Sequence, residues 1–162
     1  MKQRIFQYAL IFLFLACSSI PKDIYQSIDK NYVKNLISKL SWNSIEIATT
    51  YGTSVRIVGK EAIELEKLGK QVSSQLLDSF KNENKSVVIH LILTNLWEPE
   101  VNFLKVTHTN LPEADEVMVE YRINNFSWYK PSNENSRYSI DTVERDKIYE
   151  YWLRRIRDSS RK

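Results

Sequence analysis

Scarcity sets the first limits on this chain. Its 162 residues include one cysteine, three glycines, four prolines and two histidines. A single cysteine excludes an intramolecular disulfide and any thiolate cluster around zinc. Gly52, Gly59 and Gly69 are the full set of glycines, and they lack the spacing of a phosphate-cradling loop. So little glycine and proline also argues against a collagen-like or disordered body. His90 and His108 lie too far apart for a metal motif, and no H-E-x-x-H occurs. Ser127, Ser132, Ser136 and Ser139 fall in no G-x-S-x-G elbow and have no identifiable base. The sequence therefore assigns no catalytic residue, no metal and no cofactor, and the expectation is a non-enzymatic protein.

What is present begins at the N-terminus. Lys2 and Arg4 precede the apolar run IFQYALIFLFLA from Ile5 to Ala16, and the first acidic residue is Asp23. A basic start, a short apolar core and a small residue before the cut predict a signal peptide over residues 1–16. The run falls short of the ~20 apolar residues of a membrane span, with an uncleaved anchor as the competing reading. Phe14-Leu15-Ala16-Cys17 resembles the lipobox of bacterial lipoproteins. The resemblance implies cleavage before Cys17 and lipid attachment there. That family usually carries leucine three places before the cysteine, where this chain has Phe14. It further implies a membrane held through the N-terminal lipid, in a bacterial cell envelope and facing an extracytoplasmic compartment.

Cleavage also changes the charge. The precursor has 23 basic and 20 acidic residues, a formal +3. Losing Lys2 and Arg4 leaves 21 against 20, or +1. A near-neutral body loses the electrostatic case for nucleic-acid binding.

Residues 17–28 read as a lipidated N-terminus and tether, and residues 29–162 as one domain. Ser27 or Asp29 can cap a helix to about Leu40, with Tyr32, Val33, Leu36, Ile37 and Leu40 on its apolar face. Ile45 and Ile47 alternate with polar neighbours, as in a short strand before Gly52. Ala62, Leu65, Leu68, Val72, Leu76 and Phe80 make a helical stripe over 60–80, with Gly69 as a break. Val87 to Trp97 is apolar on nearly all sides. It reads as a buried helix capped by Ser86, against the competing reading of a buried strand. The middle region, Glu64-Leu65-Glu66-Lys67-Leu68-Gly69 with Leu76-Leu77 and Val87-Val88 through Leu96, resembles a HEAT-type helix pair. That resemblance implies a protein-binding surface, over little more than one repeat.

A strand over Asn102–His108 is expected next. Val117, Val119, Tyr121 and Ile123 alternate with Met118, Glu120 and Arg122, the clearest strand pattern in the chain. Asn124-Asn125 turns it into Phe126-Ser127-Trp128-Tyr129. Asp141 and Glu144 have capping-box spacing ahead of a last helix carrying Ile148, Trp152 and Ile156. The whole predicts an α+β fold: N-terminal and middle helices packed with a small antiparallel sheet and a C-terminal helix.

Few groups stand out for binding. His90 reads as a core histidine bonded to backbone or hydroxyl. Glu98 with Glu100, and Glu113 with Asp115 and Glu116, read as solvated turns without a ligand pattern. The aromatic second half can seal the core or line a surface. His108, Trp128 and Tyr129 are the candidates for a ligand or partner surface. Arg154, Arg155, Arg157, Arg161 and Lys162 complement the last helix's dipole or touch anionic headgroups. The expected function is protein binding or assembly support by an envelope lipoprotein, with small-ligand binding as the alternative.

Overall fold

In the computed structural model, the described residues are 28–48, 54–101, 104–110, 117–124, 126–131, 138, 140–159 and 161. The export segment with Cys17, the tether to residue 27 and the acidic group at Glu113–Glu116 lie outside them. The fold is α+β, and its order follows the sequence patterns closely.

Helix α1 (Lys30–Ser38) starts at Asp29, whose carboxylate accepts the Asn31 amide at 2.8 Å. Val33, Leu36 and Ile37 are its buried stripe, while Tyr32 is 45% exposed and falls off the apolar face. A 3-10 turn (Trp42–Ser44) leads into a two-stranded antiparallel sheet, β1 (Ile45–Ala48) with β2 (Ser54–Ile57). Ile45 faces Ile57 and Glu46 faces Arg56, the latter pair bridged at 3.3 Å.

The 60–80 stripe resolves into helix α2 (Lys60–Leu68), a 3-10 turn (Gly69–Val72) and helix α3 (Ser73–Asp78). Gly69 makes the break, at φ 76° and ψ −161°, a region that only glycine adopts freely.

Helix α4 (Ser86–Trp97) settles the choice between helix and strand at 87–97. Every residue from Ser86 to Thr94 is buried. A helix that is apolar all round belongs at the centre. Each of its buried Val, Leu and Ile side chains contributes about 1.5–3 kcal/mol of burial. Its N-cap is Lys85 and not Ser86, whose hydroxyl instead donates to the Glu83 carbonyl at 3.2 Å.

After a 3-10 turn (Pro99–Val101), three strands form an antiparallel meander. These are β3 (Lys105–Asn110), β4 (Val117–Ile123) and β5 (Phe126–Pro131). β3 covers the predicted strand from Lys105 to His108 and runs on to Asn110, while residues 102–103 lie outside the described ones. Val119 and Ile123 are buried and Arg122 exposed, as the alternation requires. Asn124, at φ 48°, takes the left-handed conformation that this side chain tolerates. Helix α5 (Thr142–Ser159) closes the chain. Asp141 accepts the Val143 and Glu144 amides at 2.8 and 3.2 Å. The Glu144 carboxylate pairs with Lys147 at 3.1 Å.

One hydrophobic cluster joins α1 to α5 with the inner faces of both sheets.

Candidate functional site

The residues with most chemical potential are bound into the interior. His90 is fully buried on α4 between β4 and α5. Its Nδ1 accepts the Trp152 indole N–H at 3.0 Å, and its Nε2 lies 3.3 Å from the Ile123 carbonyl oxygen. An indole N–H only donates and a carbonyl only accepts, so the ring is neutral with its proton on Nε2. Burial pushes its pKa down to about 4, against the smaller opposing pull of the Ile123 carbonyl. Phe126 meets the imidazole edge-on, with centroids 5.0 Å apart.

Glu98 caps the far end of the same helix and is 8% exposed. Its carboxylate accepts from Tyr151 and Asn124 and pairs with Arg155 at 3.2 Å. One side chain thereby ties α4, the β4–β5 turn and α5. Glu100, on the other side of Pro99, is exposed.

Ser127 is buried on β5 and donates to Glu120 Oε1 at 2.6 Å. Arg122 donates to Ser127 at 3.0 Å and to Glu120 at 2.7 Å. The Ser127 bond, with help from Arg122, holds the Glu120 carboxyl below its ordinary value. A carboxylate made less basic is poorly suited to take a proton from a serine.

The three predicted surface candidates lie on β3 and β5. Trp128 is 1% exposed and stacks on its cross-strand neighbour Tyr121, centroids 5.8 Å apart. Its Nε1 is buried without a hydrogen-bond partner among the described residues. Tyr129 is half-buried opposite Glu120. His108 lies on β3 in register with Val119. Among the described residues, no group of three His, Cys, Asp or Glu side chains is placed to hold a metal ion. Among the same residues, no helix is long and apolar enough to cross a membrane.

A different place collects unspent side chains. A groove of about 680 Å³ is lined by Leu40, Trp42, Ile45, Lys85, Lys130 and Tyr138, with Ser41, Asn43, Asn82 and Asn84 also on its walls. Its parts are fixed by local chemistry. The Trp42 turn is held because Ser44's carbonyl accepts the Val58 and Gly59 amides at 2.9 and 3.2 Å. Asn82 shapes the α3–α4 loop, its side chain accepting the Asn84 amide and its carbonyl the Lys85 and Ser86 amides. Lys85 Nζ donates to the Ile37 and Ser38 carbonyls at the end of α1, at 3.0 and 3.1 Å. Lys130 Nζ lies 5.2 Å from the Tyr138 ring centroid.

Tyr138 stacks on Trp42 at 4.6 Å and meets Tyr121 edge-on at 5.8 Å. The aromatic chain Trp42–Tyr138–Tyr121–Trp128 thus runs from groove to core. Burial raises the Tyr138 phenol, with Tyr121 adding to the effect, so the phenol stays neutral and able to donate. Groove residues come from four separated segments and carry no motif. The only sequence signal for them was aromatic enrichment, which pointed instead to Trp128 and Tyr129.

No family model, curated protein or solved structure matches the chain, so the geometry of this groove is what a functional reading has to stand on.

Proposed function

We propose that the protein is a non-enzymatic lipoprotein of a bacterial cell envelope, tethered through Cys17 and facing an extracytoplasmic compartment. Its body binds a protein partner or supports an assembly, and the groove at Trp42 and Tyr138 is its contact surface. The observation that carries this reading is the half-buried aromatic pair outside the core, flanked by lysines and amides. Aromatic rings with a polar rim are what protein interfaces use as anchors. The internal bonding of His90, Glu98 and Ser127 supports a role without chemistry.

A second reading, small-ligand binding, draws on the concavity itself. About 680 Å³ falls within the range of small-molecule sites, and an aromatic wall with a few polar groups is their usual make-up.

The test has two arms. Intact mass and membrane fractionation of wild type and Cys17→Ser address the anchor. Lipid mass and membrane retention are expected in the wild type alone, and an unmodified wild type with a different N-terminus sinks the lipoprotein assignment. Cross-linking in intact envelopes addresses the partner. A specific adduct should form with wild type and disappear in Trp42→Ala. An adduct pattern unchanged by that substitution removes the groove as the contact surface.

A further inference from the structure

We infer that the groove takes a small organic anion: a carboxylate or phosphate joined to a flat or apolar body. The inference rests on the small-ligand reading of the groove and names its ligand class.

The charge of the described walls is one-sided. Lys85 and Lys130 line the groove, and among the described residues no Asp or Glu does. Elsewhere in the fold, Lys60, Lys67 and Lys147 each lie within 4 Å of a carboxylate. Among the described residues neither groove lysine has such a partner. Lys85 bonds to two neutral carbonyls and Lys130 lies over a ring. An ammonium has three N–H donors, so Lys85 keeps one in reserve and Lys130 keeps more. Both lysines are partly buried as whole residues, and their charges attract an anion more strongly the less water screens them.

The remaining walls select the body of the ligand. Trp42 and Tyr138 offer ring surface, and Leu40 and Ile45 add apolar floor. A flat ring can pack against Trp42 in the offset manner aromatic pairs prefer. Asn43, Asn82 and Asn84 supply neutral donors and acceptors around it. A neutral ligand of the same shape gains the stacking but leaves the lysines unpaired. A cationic one meets like charge. Discrimination therefore rests on the anion, through charge-assisted hydrogen bonds that are about twice as strong as neutral ones.

Isothermal titration of the full chain, with empty detergent micelles as the blank, tests this with three probes of one shape: 2-naphthoate, 2-naphthyl phosphate and 2-naphthamide. At least one anion should bind about ten-fold or more tightly than the amide. Lys130→Met should remove most of that margin by weakening anion binding far more than amide binding, and Lys130→Arg should keep it. Lys85 serves α1 as well, so Lys130 is the cleaner position. An amide that binds as tightly as both anions overturns the anion inference while the small-ligand reading stands. An anion margin that survives Lys130→Met also overturns it, because the anion then lies elsewhere. Absence of binding by all three probes overturns the inference and the small-ligand reading together, and leaves protein binding untouched.

Discussion

Trp152 Nε1 donates to His90 Nδ1 across 3.0 Å and joins two helices whose bonded residues are 62 positions apart. The bond requires an unprotonated Nδ1, and burial of the ring keeps it so, which makes stability depend on pH. The unfolded ring titrates near 6.5 and the folded ring at about 4. Between those values the unfolded chain binds the proton and the folded chain does not, so stability rises with pH there. The contribution is complete above about 6.5 and is lost as pH falls toward 4, a total of roughly 3 kcal/mol. Urea midpoints measured from about pH 7 down to about pH 4 should fall, and fall less in His90→Phe. Parallel profiles for the two proteins would remove His90 as the source.

The two buried tryptophans provide a matched comparison. Trp152 and Trp128 are 0% and 1% exposed. The Trp152 N–H is bonded, whereas the Trp128 N–H has no partner among the described residues. Tryptophan to phenylalanine removes similar volume at both sites. At Trp152 it also leaves His90 Nδ1 unsatisfied, an added cost of about 1–3 kcal/mol. Thermal unfolding should therefore rank Trp152→Phe below Trp128→Phe. The reverse order would mean that packing outweighs the hydrogen bond.

Glu98→Ala should rank among the more damaging single substitutions outside the apolar core, at about 2–4 kcal/mol. It leaves the Tyr151 hydroxyl, the Asn124 amide and Arg155 without their shared acceptor. A double-mutant cycle with Asn124→Ala should give a coupling of at least ~0.5 kcal/mol, because the two side chains touch. Strict additivity would show that the contact is not felt in solution.

Gly59→Ala is expected to disturb the groove from behind. A Cβ there would come within 2.8 Å of Ser44 Cβ and 2.9 Å of Ser44 Cα. The second atom is backbone, so the Trp42 turn must move, at a cost of about 1–3 kcal/mol. Trp42 is the reporter: its fluorescence should shift along with the loss of stability. An unchanged melting temperature would refute the close approach.

Elements with strong local codes were legible in the sequence. Asp141 ahead of α5, the alternation in β4, and the Asn124 turn each state their structure within a few residues. The break at Gly69 was legible for the same reason. β2 was not foreseen, because Ser54–Ile57 is four residues long and gains its form from pairing with β1. Ser86 was misread as a cap because cap preference is local, while its hydroxyl was taken by the preceding turn. His90 was read as a core histidine bonded to backbone or to a hydroxyl, and the backbone bond to Ile123 is half of its bonding. Its tie to Trp152 has no periodic signature. The groove was invisible for a related reason: Trp42, Lys85, Lys130 and Tyr138 become neighbours only after the fold is complete.

The bond from Lys85 to the last carbonyls of α1 bears on the order of folding. α1 has no basic residue in its own last turn, and beside the local amides of Lys39 and Leu40 its last carbonyls take a side chain 47 and 48 positions further along. Nine residues are too few for a helix to persist alone in water. During synthesis the Lys85 contact to α1 can form only after the chain has been made past Lys85. Closing so long a loop costs entropy before the contact returns anything, so this contact is expected to form late in folding. The wall of the groove that Lys85 and Leu40 share is then expected to take shape late as well.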